Sequence, residues 1–334
     1  MSYEGRLITC PFCIFLVLLK GLVFFSYSTL AQDIFTNQYG SGLLFHNPAF
    51  TGTSVSGKGD FLYAIHYPTL TGGLVSNYFG YDHSFADERN AIGFFLKTDR
   101  IGIASGGNFR NLQANLSYAY LLPAGEYWRI KMAIGAGYGN KNMNTFQLIY
   151  GDQLSQTGLT GSSSAESPLP SQTIDYLDIA TGILAYNDYA WIGFSAFHLN
   201  QPQREFLGND FRVPLRISGH LGIKIPLNEN ENYHLSPVMF YHFQNNLHLL
   251  DMGLFFETTH FQAGIMGRNI PMQTANTTLN FQTAFKMEGF RIAYNFGLPL
   301  NLKNVGGLHE IGLSFAIQKE PTERKWAYRQ ISIF

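Results

Sequence analysis

Apolar and polar residues alternate along most of this 334-residue chain. Leu112, Ala114, Leu116, Tyr118, Tyr120 and Leu122 share one parity, and Asn111, Gln113, Asn115 and Ser117 take the other. Trp128, Ile130, Met132, Ile134, Ala136 and Tyr138 oppose Arg129, Lys131, Gly135, Gly137 and Gly139 in the same way, and the pattern returns five more times before the end. A period of two is the signature of a strand with two different faces. The runs predict strands near 58–67, 73–83, 91–99, 110–122, 127–141, 175–187, 189–200, 212–225, 233–243, 247–258, 259–268, 277–287, 289–298 and 308–319. Strands of a soluble β-sandwich are about five or six residues long. Runs of about ten, with aromatic ends and a polar, glycine-rich second face, are what a transmembrane barrel needs: apolar toward lipid, polar toward the lumen. The predicted fold is all-β, a transmembrane antiparallel β-barrel of about 14 strands, an even number as bacterial barrels require.

The links carry independent information. Tight connections at 123–126, 187–188, 258–259 and 288–289 alternate with longer ones at 102–109, 142–174, 201–211, 269–276 and 299–307. Short turns on the periplasmic side and long loops outside are the barrel arrangement. The link at 244–246 is shorter than this scheme expects, and that at 226–232 longer. The stretch 142–174, with Gly161-Ser162-Ser163-Ser164, reads as a solvated outer loop, or as one that contacts a partner.

Composition narrows the reading further. Only 13% of residues are charged and the net charge is -1, so no basic surface is available for nucleic acid. Arg6, an apolar stretch over 7–25 broken at Lys20, and Ser28-Thr29-Leu30-Ala31 read as a secretory signal peptide cleaved after Ala31. Both cysteines, Cys10 and Cys13, lie in that leader. Cleavage therefore leaves a chain with no disulfide, thiolate metal site or cysteine nucleophile. The expected organisation is a signal peptide over 1–31, a periplasmic N-terminal segment over 32–57, the barrel over 58–319 and a tail over 320–334.

Catalytic chemistry finds little to rest on. The ten histidines show no paired ligand spacing, so neither a metal nor any other cofactor is expected. Gly135-Ala136-Gly137-Tyr138-Gly139 lies within an alternating strand and opens no helix, and Gly193-Phe194-Ser195-Ala196-Phe197 lacks the closing glycine of a nucleophile elbow. No enzymatic activity is expected. The remaining polar constellation is the set of charges on the inward parity: Arg129, Lys131, Arg212, Arg216, Lys224, Lys286 and Arg291 against Asp178, Asp251, Glu257 and Glu310. Facing lipid at midplane, each would cost about 2–4 kcal/mol. Inside, they either line an anion-selective channel or pair across the lumen and close it, and a barrel of this size can be filled by side chains and loops.

Five blocks of sequence carry a resemblance. They are Asn47-Pro48-Ala49-Phe50-Thr51-Gly52; the strand from Ala91 that ends Asp99-Arg100-Ile101-Gly102; Tyr118-Ala119-Tyr120; Gly193-Phe194-Ser195 through His198-Leu199-Asn200-Gln201-Pro202; and His309-Glu310-Ile311. In this order they resemble the PorP/SprF family of type IX secretion outer-membrane proteins. The family's Arg-x-Gln-Trp after the first strand is absent here, and Leu308 stands where Ser is usual. Asn47, Pro48, Ala49, Gly52, Asp99, Gly102, His198, Pro202, His309 and Glu310 are read as structural signatures. The resemblance implies a barrel in the bacterial outer membrane, in contact with outer-membrane lipid and type IX secretion components, that helps deliver or anchor a large exported surface protein, often an adhesin. The polar tail, on the periplasmic side, is the expected contact for the secretion apparatus. A passive porin or hydrophobic-solute channel is the alternative, and a lipid acyl hydrolase a third reading that lacks a Ser/His constellation.

Overall fold

Alternation becomes pairing in the computed structural model, which describes residues 33–54, 56–70, 72–87, 89–102, 108–144, 149–155, 158–160, 164, 172–206, 209–269, 277–302 and 304–317. Fourteen antiparallel strands form one closed barrel. They are β1 (Gly57–His66), β2 (Leu74–Ser84), β3 (Asn90–Gly102), β4 (Asn108–Ala124), β5 (Trp128–Asn144), β6 (Gln172–Tyr186), β7 (Ala190–Phe197), β8 (Arg216–Ile223), β9 (Tyr233–Gln244), β10 (Leu247–Thr258), β11 (Phe261–Arg268), β12 (Thr278–Met287), β13 (Phe290–Pro299) and β14 (Leu308–Ile317). Each pairs with its neighbours in sequence, and β1 pairs with β14 from Gly57 opposite Ile317 to His66 opposite Leu308, which closes the ring. In hydrocarbon, closure is what leaves no backbone group unbonded at an edge.

The two parities separate as expected. Leu116, Ile134 and Leu177 point outward and are more than 60% exposed, whereas Asn115, Ser117 and Lys131 point inward and are buried. The wall is uneven. Strands β4 and β5 have 17 residues each, β7, β8 and β11 only 8. A tilted strand of that greater length rises about 45 Å, well beyond an apolar band about 25 Å tall. With both ends of the barrel sheet on the periplasmic side, the long links between β5 and β6, β7 and β8, β11 and β12, and β13 and β14 all fall outside.

Several boundaries move. The run expected over 189–200 stops at Phe197, because His198 and Gln201 take left-handed backbone angles (φ 59° and 37°) that cannot continue a strand. The run over 212–225 starts only at Arg216; Pro214, which has no N–H to donate, precedes it. Arg212 is instead exposed on an outer hairpin, Gln203–Phe206 with Asn209–Arg212, so its assignment to the lumen is corrected. The outer loop after β5 carries a smaller hairpin in which Leu154 opposes Leu159, both exposed.

The largest correction concerns the segment expected in the periplasm over 32–57. Residues 33–54 lie inside the barrel, and from Asp33 to Gly52 every residue but Ile34 is buried. Inward side chains are largely polar, and a polar, turn-rich peptide is the filling that can bond to them. The signal peptide, its cleavage site, both cysteines and the tail over 320–334 lie outside the described residues.

Candidate functional site

The interior plug is built from local turn chemistry. Gly42, with φ 69°, admits the chain to the single turn α1 (Leu43–His46). Asn47 then caps a 3-10 turn over Pro48–Phe50: its Oδ1 accepts from the Ala49 N–H at 2.8 Å, and Pro48 needs no donor at that position. Gly52 (φ 65°) turns the chain toward β1, and a Cβ there would lie 2.2 Å from that of Ala91. These are the residues of the first signature block. Their common role is to shape a plug that fits against the wall.

The wall meets the plug along its whole length. The carboxylate of Asp33 accepts from Arg216 Nη1 at 2.9 Å, His198 Nε2 at 2.9 Å and Gln113 Nε2 at 2.7 Å. Burial alone would raise the Asp33 pKa, but the charges of His198 and Arg216 outweigh it and hold the carboxyl well below its ordinary value. Burial likewise opposes the charged form of His198, yet Asp33 and Asp178, whose Oδ1 is 3.0 Å from His198 Nδ1, raise its pKa. Arg216 also donates to the Phe45 carbonyl at 2.9 Å and lies 4.1 Å from the ring centres of Phe45 and Phe197. By contrast burial, helped by the nearby charges of Arg216, Arg268 and Lys97, holds the His46 pKa well below its ordinary value.

Deeper along the plug the same logic repeats. Arg268 makes a two-pronged pair with Asp251 (2.7 and 2.6 Å) and donates to the carbonyls of Phe35 and Thr36. Gln282 pairs with the Tyr39 backbone as a neighbouring strand does, accepting from its N–H and donating to its carbonyl, both at 2.8 Å. Arg291 reaches Ser41 Oγ at 3.1 Å, the Tyr39 carbonyl at 3.2 Å and Gln262 at 2.8 Å. Asn47 Nδ2 lies 3.1 and 3.2 Å from the carbonyls of Ile183 and Phe194 and 2.9 Å from His220 Nε2. Ser195, in the run that lacked the full elbow motif, donates its hydroxyl to the His46 carbonyl at 2.6 Å. At the periplasmic end Thr51 bonds Ser117 (2.6 Å), the Gly52 N–H donates to Asp82 (2.7 Å), and Lys131 donates to the Gly52 carbonyl. Aromatic stacking adds to this: Phe35 on His242 at 4.2 Å, Tyr39 on Phe255 at 4.5 Å and Phe50 on His220 at 4.9 Å. Two internal cavities beside the plug measure about 10 Å³ each, roughly the room for one water.

Among the charges assigned to the lumen, Lys131, Arg216, Asp251, Glu257 and Arg291 are buried in it, and Lys286 reaches Glu257 at 3.1 Å. Arg129 sits half-buried at the periplasmic rim, 3.7 Å from Asp188, and Lys224 half-buried just past β8. Alternation extended to β1, β3 and β11 also reaches Lys58, Asp60, Lys97 and Arg268; nothing in the sequence marks Asp33. Of the signature residues, Asp99 is buried with Ser76, Lys97 and Asn111 around it, and Glu310 accepts from Asn37 and faces His66. His309 faces outward, 2.8 Å from the Tyr294 hydroxyl. Gly102 packs against Gly72, and buried Pro202 accepts from the Val213 N–H.

No curated protein matches this sequence. Solved structures similar to it are the toluene transporter TodX of P. putida (12% identity, 84% of this chain and 95% of that one, TM-score 0.49), a FadL homologue of Pseudomonas aeruginosa (8%, 81% and 93%, 0.48) and the outer membrane protein Omp33 of Acinetobacter baumannii (8%, 80% and 100%, 0.44). The sequence matches the family described as type IX secretion system membrane protein PorP/SprF over residues 28–315. A closed, lipid-facing barrel of the bacterial outer membrane, the chain belongs to the PorP/SprF family of the type IX secretion system.

Proposed function

We propose that this barrel is a non-enzymatic partner of protein export that helps deliver or anchor an exported, adhesin-like protein at the cell surface. The observation that carries the reading is the filled lumen. Among the described residues, 33–54 fill the lumen where a solute would pass, so the surfaces offered to a protein partner are the two rims. The outer rim supports a protein partner. Leu154 and Leu159 are paired at the outer hairpin with 58% and 64% of their surface exposed, an apolar pair presented to solvent. The filled interior weighs against the passive-channel reading.

Deleting the gene and comparing surface and secreted proteomes with the parent by mass spectrometry tests the proposal. Loss of one large surface protein is the result expected for a dedicated delivery or anchoring partner. Loss of every type IX substrate would make the protein a core export component, and an unchanged exported set would overturn the proposal in favour of a channel.

A further inference from the structure

We infer that the outer face of the barrel carries a binding site for the phosphate group of an outer-leaflet lipid, formed by Arg100 on β3 and Arg110 on β4. The two residues are directly opposed across the strand pair, and both are exposed on the outward parity. Their row around the wall runs Val75, Arg100, Arg110, Asn142, Thr173. Like charges placed opposite each other destabilise a sheet pair. Several inward cations of this protein meet carboxylates: Arg216 meets Asp33, Arg268 meets Asp251 and Lys286 meets Glu257. Among the described residues the side chains of Arg100 and Arg110 have no ion pair and no hydrogen bond. An anion held between two guanidinium groups resolves that repulsion, and planar guanidinium matches phosphate with paired N–H donors.

Position along the wall names the source of the phosphate. Two rows below the arginines, in register with them, lies the row of Phe79, Leu96, Ala114, Tyr138 and Leu177, where the lipid-facing apolar surface begins. Two rows of a tilted strand are about 10 Å. The arginines therefore stand one headgroup above the hydrocarbon boundary, on the outer side. A groove of about 710 Å³ opens there, with Arg100, Arg110, Asn142 and Thr173 in its lining. Asn142 donates to Thr173 Oγ1 at 2.7 Å, which leaves the hydroxyl hydrogen of Thr173 to point at a ligand oxygen.

The test uses the full chain, purified in detergent and stripped of lipid. Native mass spectrometry follows binding of diphosphoryl lipid A, of the same lipid with its phosphates removed, and of inorganic phosphate. The expected result is retention of the phosphorylated lipid, about thirtyfold weaker binding in the R100Q/R110Q double variant, and no adduct with inorganic phosphate at the lipid's concentration. Equal binding of the two lipids overturns the site, as does unchanged affinity in the double variant. Inorganic phosphate binding as well as the lipid does would overturn the assignment to a membrane source. The comparison of the two lipids on the unaltered protein stands even where the double variant does not fold.

Discussion

Arg216→Met is the substitution expected to loosen the plug. It keeps the length of the side chain and removes its charge. Arg216 is 1% exposed, and its loss removes one of the two ion-pair partners of the Asp33 carboxylate, leaving His198, and takes the donor from the Phe45 carbonyl. Breaking a buried ion pair from one side costs about 3–5 kcal/mol. If the whole cost falls on seating of the plug, the unseated population rises about a hundredfold to a few thousandfold. Ionic current through single barrels in a planar bilayer reads that population, because an emptied lumen conducts and a filled one does not. A barrel lacking residues 33–54 gives the fully open reference, its folding checked by heat-modifiable mobility on a gel. Adding Asp33→Asn to Arg216→Met removes the stranded carboxylate, and current is expected to fall most of the way back. The reasoning is refuted if the folded deletion barrel conducts no more than the intact one, or if the double variant leaks more than Arg216→Met.

Other perturbations test separate parts of the same fit. Asn47→Ala removes the cap of the 3-10 turn and the donor to two wall carbonyls, and is expected to lower stability by about 2–4 kcal/mol in a urea titration of the heat-modifiable form. Gly182→Ala would place a Cβ 1.9 Å from Asn47 Oδ1 and is expected to cost about 1–3 kcal/mol by the same assay, while Gly151→Ala, with nothing within 4 Å, leaves it unchanged. The pair of Asp33 and His198 makes seating depend on pH. His198 has a raised pKa, so its contribution is complete below the ordinary imidazole value and is lost as pH rises through the raised one. Asp33 has a lowered pKa, so its contribution is present above the ordinary carboxylate value and is lost as pH falls through the lowered one. Open-channel current is therefore expected to rise on the alkaline side, and His198→Gln to remove that alkaline rise.

What the sequence discloses divides along a physical line. A strand in a barrel wall has a period of two because each residue chooses between lipid and lumen. That choice is written locally, and the strand expected over 247–258 is the one observed. The inward placing of Lys131, Asp251 and Arg291 follows from the same local rule. Arg212 escaped it because alternation persists past the strand end, through Pro214 and into a loop hairpin where parity no longer points anywhere. The plug is the deeper omission. Residues 33–54 have no period, and their Asn, Gln, Ser and Thr side chains look like those of a solvated linker. They are buried because the wall presents Gln282, Glu310, Arg291 and Ser117 to the interior, a complement from strands far away in sequence. The signature residues Asn47 and Gly52 were recognisable as a motif, but the shape that they make has meaning only once the wall is closed around it.

Glu310 shows how far that dependence reaches. It lies on β14, the last strand, paired with β1 where the ring closes. Its carboxylate accepts from the backbone and side chain of Asn37, 273 residues earlier, and lies 2.9 Å from His66 Nε2 on β1. One buried anion thus serves the first strand, the last strand and the peptide between them. Without residues 33–54 that anion would exchange its Asn37 donors for water and keep His66, its partner across the seam. The plug is in this sense a third party to ring closure: the side chain that sits at the joint of the first and last strands also holds Asn37, so the seam and the seat of the plug share one contact.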